Sequence, residues 1–177
     1  RIGIARGLAL DPDLLILDEP VSALDVSVQA QILNLLMDLR STRSLGIVMI
    51  SHDLDVIRHV TDRVVVMYLG VIVEEGPAEE VLASPAHPYT AALASATPPA
   101  GPAEKRERIV LAGDVPSPLD PPSGCRFRTR CWRADDLCAQ RRPELEPVGS
   151  GGRTVACFHP LDVLAGRPTA AAGGGVA

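Results

Sequence analysis

Residues 14–20 of the chain read LLILDEP, four aliphatic side chains followed by two carboxylates and a proline. So short an unbroken apolar run is typical of a strand buried on both faces of a parallel sheet. Open α/β sheets bind ligands at the carboxyl ends of their strands, where Asp18 and Glu19 stand here. Two carboxylates at that position suit a magnesium ion and a water-activating base, although an Asp-Glu pair taken alone usually only ends a strand.

The segments that follow alternate between helical and strand periodicity. A helix is predicted at 27–43, with Asp25 as its N-cap, and a second buried strand at 46–50. His52 follows that strand as Glu19 follows the first, so the two side chains can converge at one sheet edge, although a lone histidine is more often a surface residue. The β-α-β-α order predicts an α/β fold with parallel strands. The other predicted elements are helices at 1–10, 54–60 and 78–83 and a hairpin of 64–69 and 71–73 that turns at Gly70.

Composition narrows the classes of protein to consider. The chain has 177 residues and is 46% hydrophobic, so it can bury a core, and with 3% aromatic residues that core should be aliphatic. A net charge of -5 argues against nucleic-acid binding. No apolar run approaches the roughly 20 residues of a membrane span, and no signal peptide opens the sequence. The chain begins at Arg1 without a methionine, and we interpret it as a fragment.

Two motifs in the first third carry a family resemblance. LLILDEP-VSALD at 14–25 and VMISHD at 48–53 closely resemble the nucleotide-binding subunit of ABC transporters, and the first six residues resemble the helix after the ABC signature. The resemblance covers residues 1–83. It implies the C-terminal part of a P-loop NTPase domain.

This resemblance implies a role for each polar residue of the two motifs. Asp18 ends the Walker B strand and would bind Mg²⁺ with ATP, and Glu19 matches the catalytic glutamate. His52 matches the switch histidine that contacts the γ-phosphate. Ser22 and Asp25 match the D-loop, which in that family crosses to the partner subunit.

The family's main phosphate cradle is not found in these 177 residues. A P-loop requires Gly-Lys-Ser/Thr, and the single lysine, Lys105, follows Glu104. The Walker A loop, glutamine loop and signature are therefore expected upstream of Arg1. Since the family hydrolyses ATP between two subunits, we expect the isolated chain neither to bind ATP tightly nor to hydrolyse it.

All the cysteines lie in the C-terminal half. Their spacing favours metal binding over free thiols. It lacks the paired spacing of zinc ribbons, and four cysteines can also bind an iron–sulfur cluster. Zinc and an iron–sulfur cluster therefore both remain open. Interleaved arginines should lower the thiol pKa values and favour thiolates. An RNA-binding patch is the weaker interpretation of these arginines, given the acidic chain. The residues concerned are Cys125, Cys131, Cys138 and Cys157, with Arg126, Arg128, Arg130 and Arg133.

A second resemblance concerns this half. HPYTAAL at 87–93 and PSPLDPPSGCRFRTRC at 116–131 resemble the C-terminal extension of oligopeptide/dipeptide ABC importer ATPases. The resemblance implies a small cysteine-rich extension at 84–165 whose four cysteines hold a 4Fe–4S cluster. Residues 166–177 are of low complexity and should form a disordered tail. His87 and Tyr89, set between prolines, are expected to anchor a turn, and Trp132 to pack against the cysteine-held core.

Together the two resemblances imply an ATP-hydrolysing energy-coupling subunit of a peptide importer. Its implied partners are a second ATPase subunit, identical or related, two membrane permease subunits and an extracellular binding protein, with no nucleic acid. It would lie peripherally on the cytoplasmic face of the plasma membrane. The alternatives are a non-transport ABC ATPase and a non-catalytic, metal-bound interaction module. The transported substrate is not encoded in this chain.

Overall fold

The chain packs into two compact units, the N-terminal unit of residues 1–60 and the C-terminal unit of residues 61–177. Lys105 and the predicted disordered tail at 166–177 lie outside the described residues. The computed structural model describes residues 2–97, 108–149 and 151–163.

The N-terminal unit is the predicted alternation of helices and parallel strands. Its two strands pair in parallel, with Leu14 opposite Gly46 and Asp18 opposite Ile50. Asp25 caps the long helix as predicted, because its side chain accepts a hydrogen bond from the backbone N–H of Val28. The elements are α1 (Ile2–Leu8), β1 (Leu14–Asp18), α2 (Val26–Arg43), β2 (Gly46–Ile50) and α3 (Leu54–Val60).

The sheet of the N-terminal unit is buried on one face. Leu15 and Leu17 join an aliphatic core to which all three helices contribute. Leu14 and Ile16 on the opposite face are more than half exposed, as is Ile50 of β2. The expectation that β1 is buried on both faces is therefore wrong for this unit, since successive side chains of a strand point to opposite faces and only one face is covered.

The C-terminal unit is built on an antiparallel sheet with strand order β3-β4-β6-β5. The predicted hairpin is present, and both Leu69 and Gly70 have positive φ angles, as the type I′ turn common in two-residue hairpins requires. A single turn of 3₁₀ helix covers Arg128–Arg130. The other elements are β3 (Arg63–Tyr68), β4 (Val71–Pro77), α4 (Ala78–Ala83), α5 (Pro88–Ala96), α6 (Asp136–Gln140), β5 (Glu146–Pro147) and β6 (Thr154–Val155).

The core of the C-terminal unit is partly aromatic. Phe127 is 1% exposed and packs against Tyr68 and Tyr89, with ring centroids 5.1 and 5.4 Å away. The expectation of an aliphatic core thus holds only for the N-terminal unit. Trp132 is 38% exposed, and the aromatic side chain at the centre of this core is Phe127.

The packing boundary between the units falls after Val60, whereas the resemblance placed a domain boundary after Ala83. The hairpin groups with the C-terminal residues because β4 also pairs with β6. Packing units and motif-defined domains are different divisions, so the domains 1–83, 84–165 and 166–177 stay a prediction. None of the helices in the described part of the chain is long and apolar enough to cross a lipid bilayer.

Candidate functional site

Glu19 and His52 meet at the carboxyl ends of the two parallel strands. Glu19 extends the ladder, because its backbone N–H donates to the carbonyl of Ile50 at 3.0 Å. Its φ of 47° lies in the left-handed region, which non-glycine residues seldom adopt. The Nδ1 of His52 lies 2.8 Å from Oε1 of Glu19. The predicted convergence of these two residues is thus confirmed.

This pair is accessible from solvent. The side chain of His52 is 77% exposed and that of Glu19 is 37% exposed. The hydrogen bond to the Glu19 carboxylate, with its negative charge, raises the pKa of His52 above the ordinary value. The pair therefore offers a carboxylate and an imidazole, the latter held toward its protonated form, at one sheet edge.

The loop of His52 is held by side-chain caps. Ser51 Oγ accepts a hydrogen bond from the N–H of Asp53 at 3.1 Å. Asp53 in turn caps α3, since its Oδ1 accepts from the N–H of Asp55 at 3.0 Å. This short, capped connection between β2 and α3 fixes the direction in which His52 leaves the strand.

Asp18 is exposed and lies beside this pair in sequence. It lines a shallow cleft of about 240 Å³ together with Gly3, Leu24 and other residues of the N-terminal unit. Within the described residues, its carboxylate is not part of a group with the ligand atoms of Glu19 and His52 all within 4.8 Å. The structure thus brings two of the three predicted residues into contact and leaves the third at the adjoining cleft.

The turn after Glu19 is held by its own polar side chains. Ser22 Oγ donates to the carbonyl of Glu19 at 3.2 Å, and Ser27 Oγ donates to Asp25 at 2.8 Å. The hydrogen bond from Ser27, with that from the N–H of Val28, lowers the pKa of Asp25. Ser22 and Asp25 therefore shape the loop, and both remain exposed.

The four cysteines gather in the C-terminal unit without disulfide bonds. Cys138 is buried and the other three are half-buried. The backbone N–H of Cys125 donates to the carbonyl of Cys138 at 2.8 Å, which joins their two segments. Backbone N–H groups also face the sulfurs: that of Arg133 lies 3.4 Å from Sγ of Cys131.

Burial affects the pKa values of these thiols more than the neighbouring arginines do. Burial raises the pKa of each of the four, and that of Cys157 to about 12. The expectation that the arginines lower the thiol pKa values is therefore wrong in net effect. Arg128 and Arg133 do act in that direction, whereas Arg126 binds the carbonyl of Leu69.

The prolines around His87 mark a helix that the sequence interpretation missed. His87 caps α5, because its Nδ1 accepts from the N–H of Tyr89 at 3.0 Å, and Pro88 occupies the first helical position. Proline is favoured there, which is the signal that could have revealed the helix. Burial lowers the pKa of His87 to about 4, so its imidazole is neutral at pH 7, and its Nδ1 serves as the cap of α5.

Glu74 and Arg153 form a buried ion pair, which we call the hub. No local sequence pattern indicated that the two residues would be in contact. The Glu74 side chain is fully buried and accepts hydrogen bonds from the N–H groups of Ala86 and His87, both at 2.9 Å. Arg153 binds the same carboxylate and also the carbonyl of Ser84. The hub thus fixes β4, the segment before α5 and β6 relative to one another.

The fold and its polar sheet edge define a mixed α/β protein with an antiparallel C-terminal unit. Residues 73–138 match the family model described as "Oligopeptide/dipeptide transporter, C-terminal region". The chain is 55% identical over 159 residues to the dipeptide transport ATP-binding protein DppF of Haemophilus influenzae, covering 90% of this chain and 48% of that protein.

Two further relatives agree with this match. The chain is 57% identical to DppF of Escherichia coli, over 89% of this chain and 47% of that protein. It is 56% identical to a probable peptide ABC transporter ATP-binding protein, y4tS, of Sinorhizobium fredii, over 89% and 44%. These matches, over about nine tenths of the chain, support the ATP-binding subunits of peptide ABC transporters as its relatives. The chain spans about half the length of the curated relatives it matches.

Proposed function

We propose that this chain supplies part of the ATP-hydrolysing site of an energy-coupling subunit of an ABC importer for dipeptides or oligopeptides. The contact between Glu19 and His52 carries the proposal, because it joins a carboxylate and an imidazole at the end of adjacent parallel strands. The match at residues 73–138 favours a peptide importer over a non-transport ATPase.

Each site residue has a defined task in this proposal. Asp18 holds Mg²⁺, which neutralises charge on the β- and γ-phosphates. Glu19 orients and deprotonates the attacking water. His52, held toward its protonated form by Glu19, faces the γ-phosphate and stabilises the negative charge that develops there.

The partners follow from the class of transporter. Ser22 and Asp25 lie on an exposed, internally braced turn, which suits a contact with a second ATPase subunit, identical or related. The pair of ATPase subunits would act beneath two membrane permease subunits, on the cytoplasmic face of the plasma membrane. An extracellular binding protein would deliver the peptide.

Glu19→Gln in the intact subunit tests the hydrolytic role. We expect ATP turnover to be abolished while ATP binding and the ATP-bound dimer persist, because the amide cannot accept the proton of the attacking water. Glu79→Gln, a similar change at an exposed position in α4, is the matched control and should leave turnover unchanged. Undiminished hydrolysis in the Glu19→Gln protein would refute the assignment.

We further propose that Cys125, Cys131, Cys138 and Cys157 are the ligands of a 4Fe–4S cluster. A single zinc ion would draw all four sulfurs to within about 4 Å of one another. Within the described residues, the four sulfurs form no such group at a 4.8 Å limit. A cubane binds each cysteine to a different iron and so tolerates wider separation.

The surroundings of the sulfurs agree with a cluster. Backbone N–H groups face Cys125, Cys131 and Cys157, and such hydrogen bonds stabilise cluster-bound thiolates. When bound, the cluster supplies positive charge that keeps buried thiols deprotonated, and it can change oxidation state. Anaerobic reconstitution with iron and sulfide should give broad visible absorbance in the wild-type chain and not in Cys125→Ser. A colourless product from the wild-type chain would contradict this proposal.

A further inference from the structure

A glutamine of α2 holds the turn between β1 and α2. The side-chain amide of Gln29 donates a hydrogen bond to the carbonyl of Val21 at 3.0 Å. A carbonyl oxygen can only accept, so the amide nitrogen of Gln29, and not its oxygen, faces Val21. The same carbonyl also accepts from the backbone N–H of Leu24 at 3.1 Å. Val21 is therefore bonded both within the turn and to the helix that follows it.

Gln29 occupies a helix position at which an apolar side chain is common. With Asp25 as the N-cap, Gln29 is the fourth residue of α2, and Leu24 immediately precedes the cap. In many helices these two positions carry apolar side chains that pack against each other. Here Leu24 is 38% exposed, and the half-buried Gln29 reaches back to the turn. A hydrogen bond to the turn thus stands where an apolar contact is usual.

The side chain of Val21 is anchored to the same helix. It is only 3% exposed and belongs to the aliphatic core that also contains Ile32 and Leu36 of α2. The core therefore fixes the side chain of Val21, and Gln29 fixes its carbonyl. Without the bond from Gln29, the backbone at Val21 can rotate while its side chain stays in the core.

The turn begins at Glu19, whose backbone is unfavourable for a non-glycine residue. A φ of 47° persists only where the surrounding structure enforces it. The N–H of Glu19 donates to Ile50, and its carbonyl accepts from the N–H and Oγ of Ser22 at 3.4 and 3.2 Å. Since Ser22 directly follows Val21, the backbone at Val21 determines whether these bonds to Glu19 can form.

We infer that Gln29 is a positioning residue of the proposed hydrolytic site, which holds the turn so that the Glu19 carboxylate stays against His52. The inference rests on the proposed function and adds a residue to it. The contacts run from Gln29 to the carbonyl of Val21, then through Ser22 to the carbonyl of Glu19. Gln29 acts only through Glu19 and has no chemical step of its own.

Titration of the His52 imidazole in the 177-residue chain tests the positioning without ATP. Gln29→Met keeps a long, helix-favouring side chain and removes the N–H donor. We expect the pKa of His52, followed by nuclear magnetic resonance, to fall toward the ordinary 6.5, because the Glu19 carboxylate is no longer held beside it. Gln31→Met, the same change at an exposed position of α2, is the matched control and should leave this pKa unchanged.

A role in stability alone predicts a different result. If Gln29 only stabilises α2, Gln29→Met lowers the free energy of unfolding and leaves the pKa of His52 at the wild-type value. Hydrogen exchange of the α2 backbone amides measures stability in the same samples and shows that the variant is folded. An unchanged His52 pKa in the folded Gln29→Met chain would overturn the inference.

In the intact subunit, Gln29→Met should affect the rate of ATP hydrolysis more than the affinity for ATP. We expect kcat to fall by about 10- to 100-fold with KM nearly unchanged, because a small misplacement of a catalytic group slows the chemical step. Gln31→Met should keep the wild-type kcat. An unchanged kcat in Gln29→Met, with or without a higher KM, would contradict the positioning role.

These measurements separate the inference from the function on which it rests. Undiminished turnover in Glu19→Gln would refute the hydrolytic role, whereas the His52 titration would still show whether Gln29 holds Glu19 in place. Loss of turnover in Glu19→Gln, combined with wild-type behaviour of Gln29→Met, would refute only the role of Gln29.

Discussion

Each unit of the molecule contains an acidic and a basic side chain in contact, and the two pairs differ in exposure. Glu19 and His52 meet at the surface of the N-terminal unit, whereas Glu74 and Arg153 are buried in the C-terminal unit. An exposed pair adds little to stability but can be reached by a substrate. A buried pair is costly to break because the surviving charge is left unpaired and unsolvated. The first pair therefore lies where a substrate can reach it, and the second contributes to stability.

Breaking the buried pair should have the largest effect on stability. Glu74→Ala leaves Arg153 buried without its partner and frees two N–H groups, so we expect a loss of about 3 to 5 kcal/mol. The fluorescence of Trp132, the single tryptophan, reports unfolding of the C-terminal unit in urea. Glu75→Ala removes a neighbouring, partly exposed hydrogen bond to Thr154 and should cost only about 1 kcal/mol. Equal losses of unfolding free energy in the two variants would contradict a special structural role for the buried pair.

The one-sided sheet of the N-terminal unit predicts unequal effects for adjacent residues of β1. Leu15→Ala empties a core position and should cost about 2 to 5 kcal/mol. Ile16→Ala removes an exposed side chain and should change stability by no more than about 0.5 kcal/mol. Hydrogen exchange of the α2 backbone amides measures both effects in this unit. A large loss for Ile16→Ala would mean that its face is covered.

The buried His87 predicts a loss of stability in acid. The unfolded chain takes up a proton near the ordinary histidine pKa of 6.5, whereas the folded unit does so only near about 4. Between these values the unfolded state binds more protons, so stability falls as the pH falls, by about 2 kcal/mol from pH 7 to about pH 5. Urea unfolding at these two pH values measures it. His87→Asn keeps a capping acceptor and should lack this loss; an equal loss would contradict the assignment.

Local sequence patterns predicted most of the helices and strands of the N-terminal unit. Three signals extend over only a few residues each and can therefore be recognised in the sequence. They are the aliphatic run of β1, the 3.6-residue periodicity of α2 and the capping Asp25. The pairing of Glu19 with His52 was also predictable, because parallel strands end at a common edge. The exposure of Ile16 was not, since periodicity cannot tell which faces of a sheet are covered.

The C-terminal unit was less predictable because long-range contacts determine it. Arg153 reaches Glu74 across 79 residues, and nothing local to either residue indicates the other. His159 and Asp135 lie 24 residues apart, and their 2.8 Å contact is not indicated by any local pattern. The pKa values of the cysteines depend on burial, which a count of neighbouring arginines does not measure.

We propose that Glu19 and His52 act as one site, and titration of the His52 imidazole tests this most directly. Followed by nuclear magnetic resonance in the chain, the pKa of His52 should lie above the ordinary 6.5. In Glu19→Gln it should fall toward the ordinary value, because the negative charge that favours the imidazolium is gone. Glu79→Gln should leave it unchanged. An identical His52 pKa in the wild-type and Glu19→Gln proteins would contradict the claim.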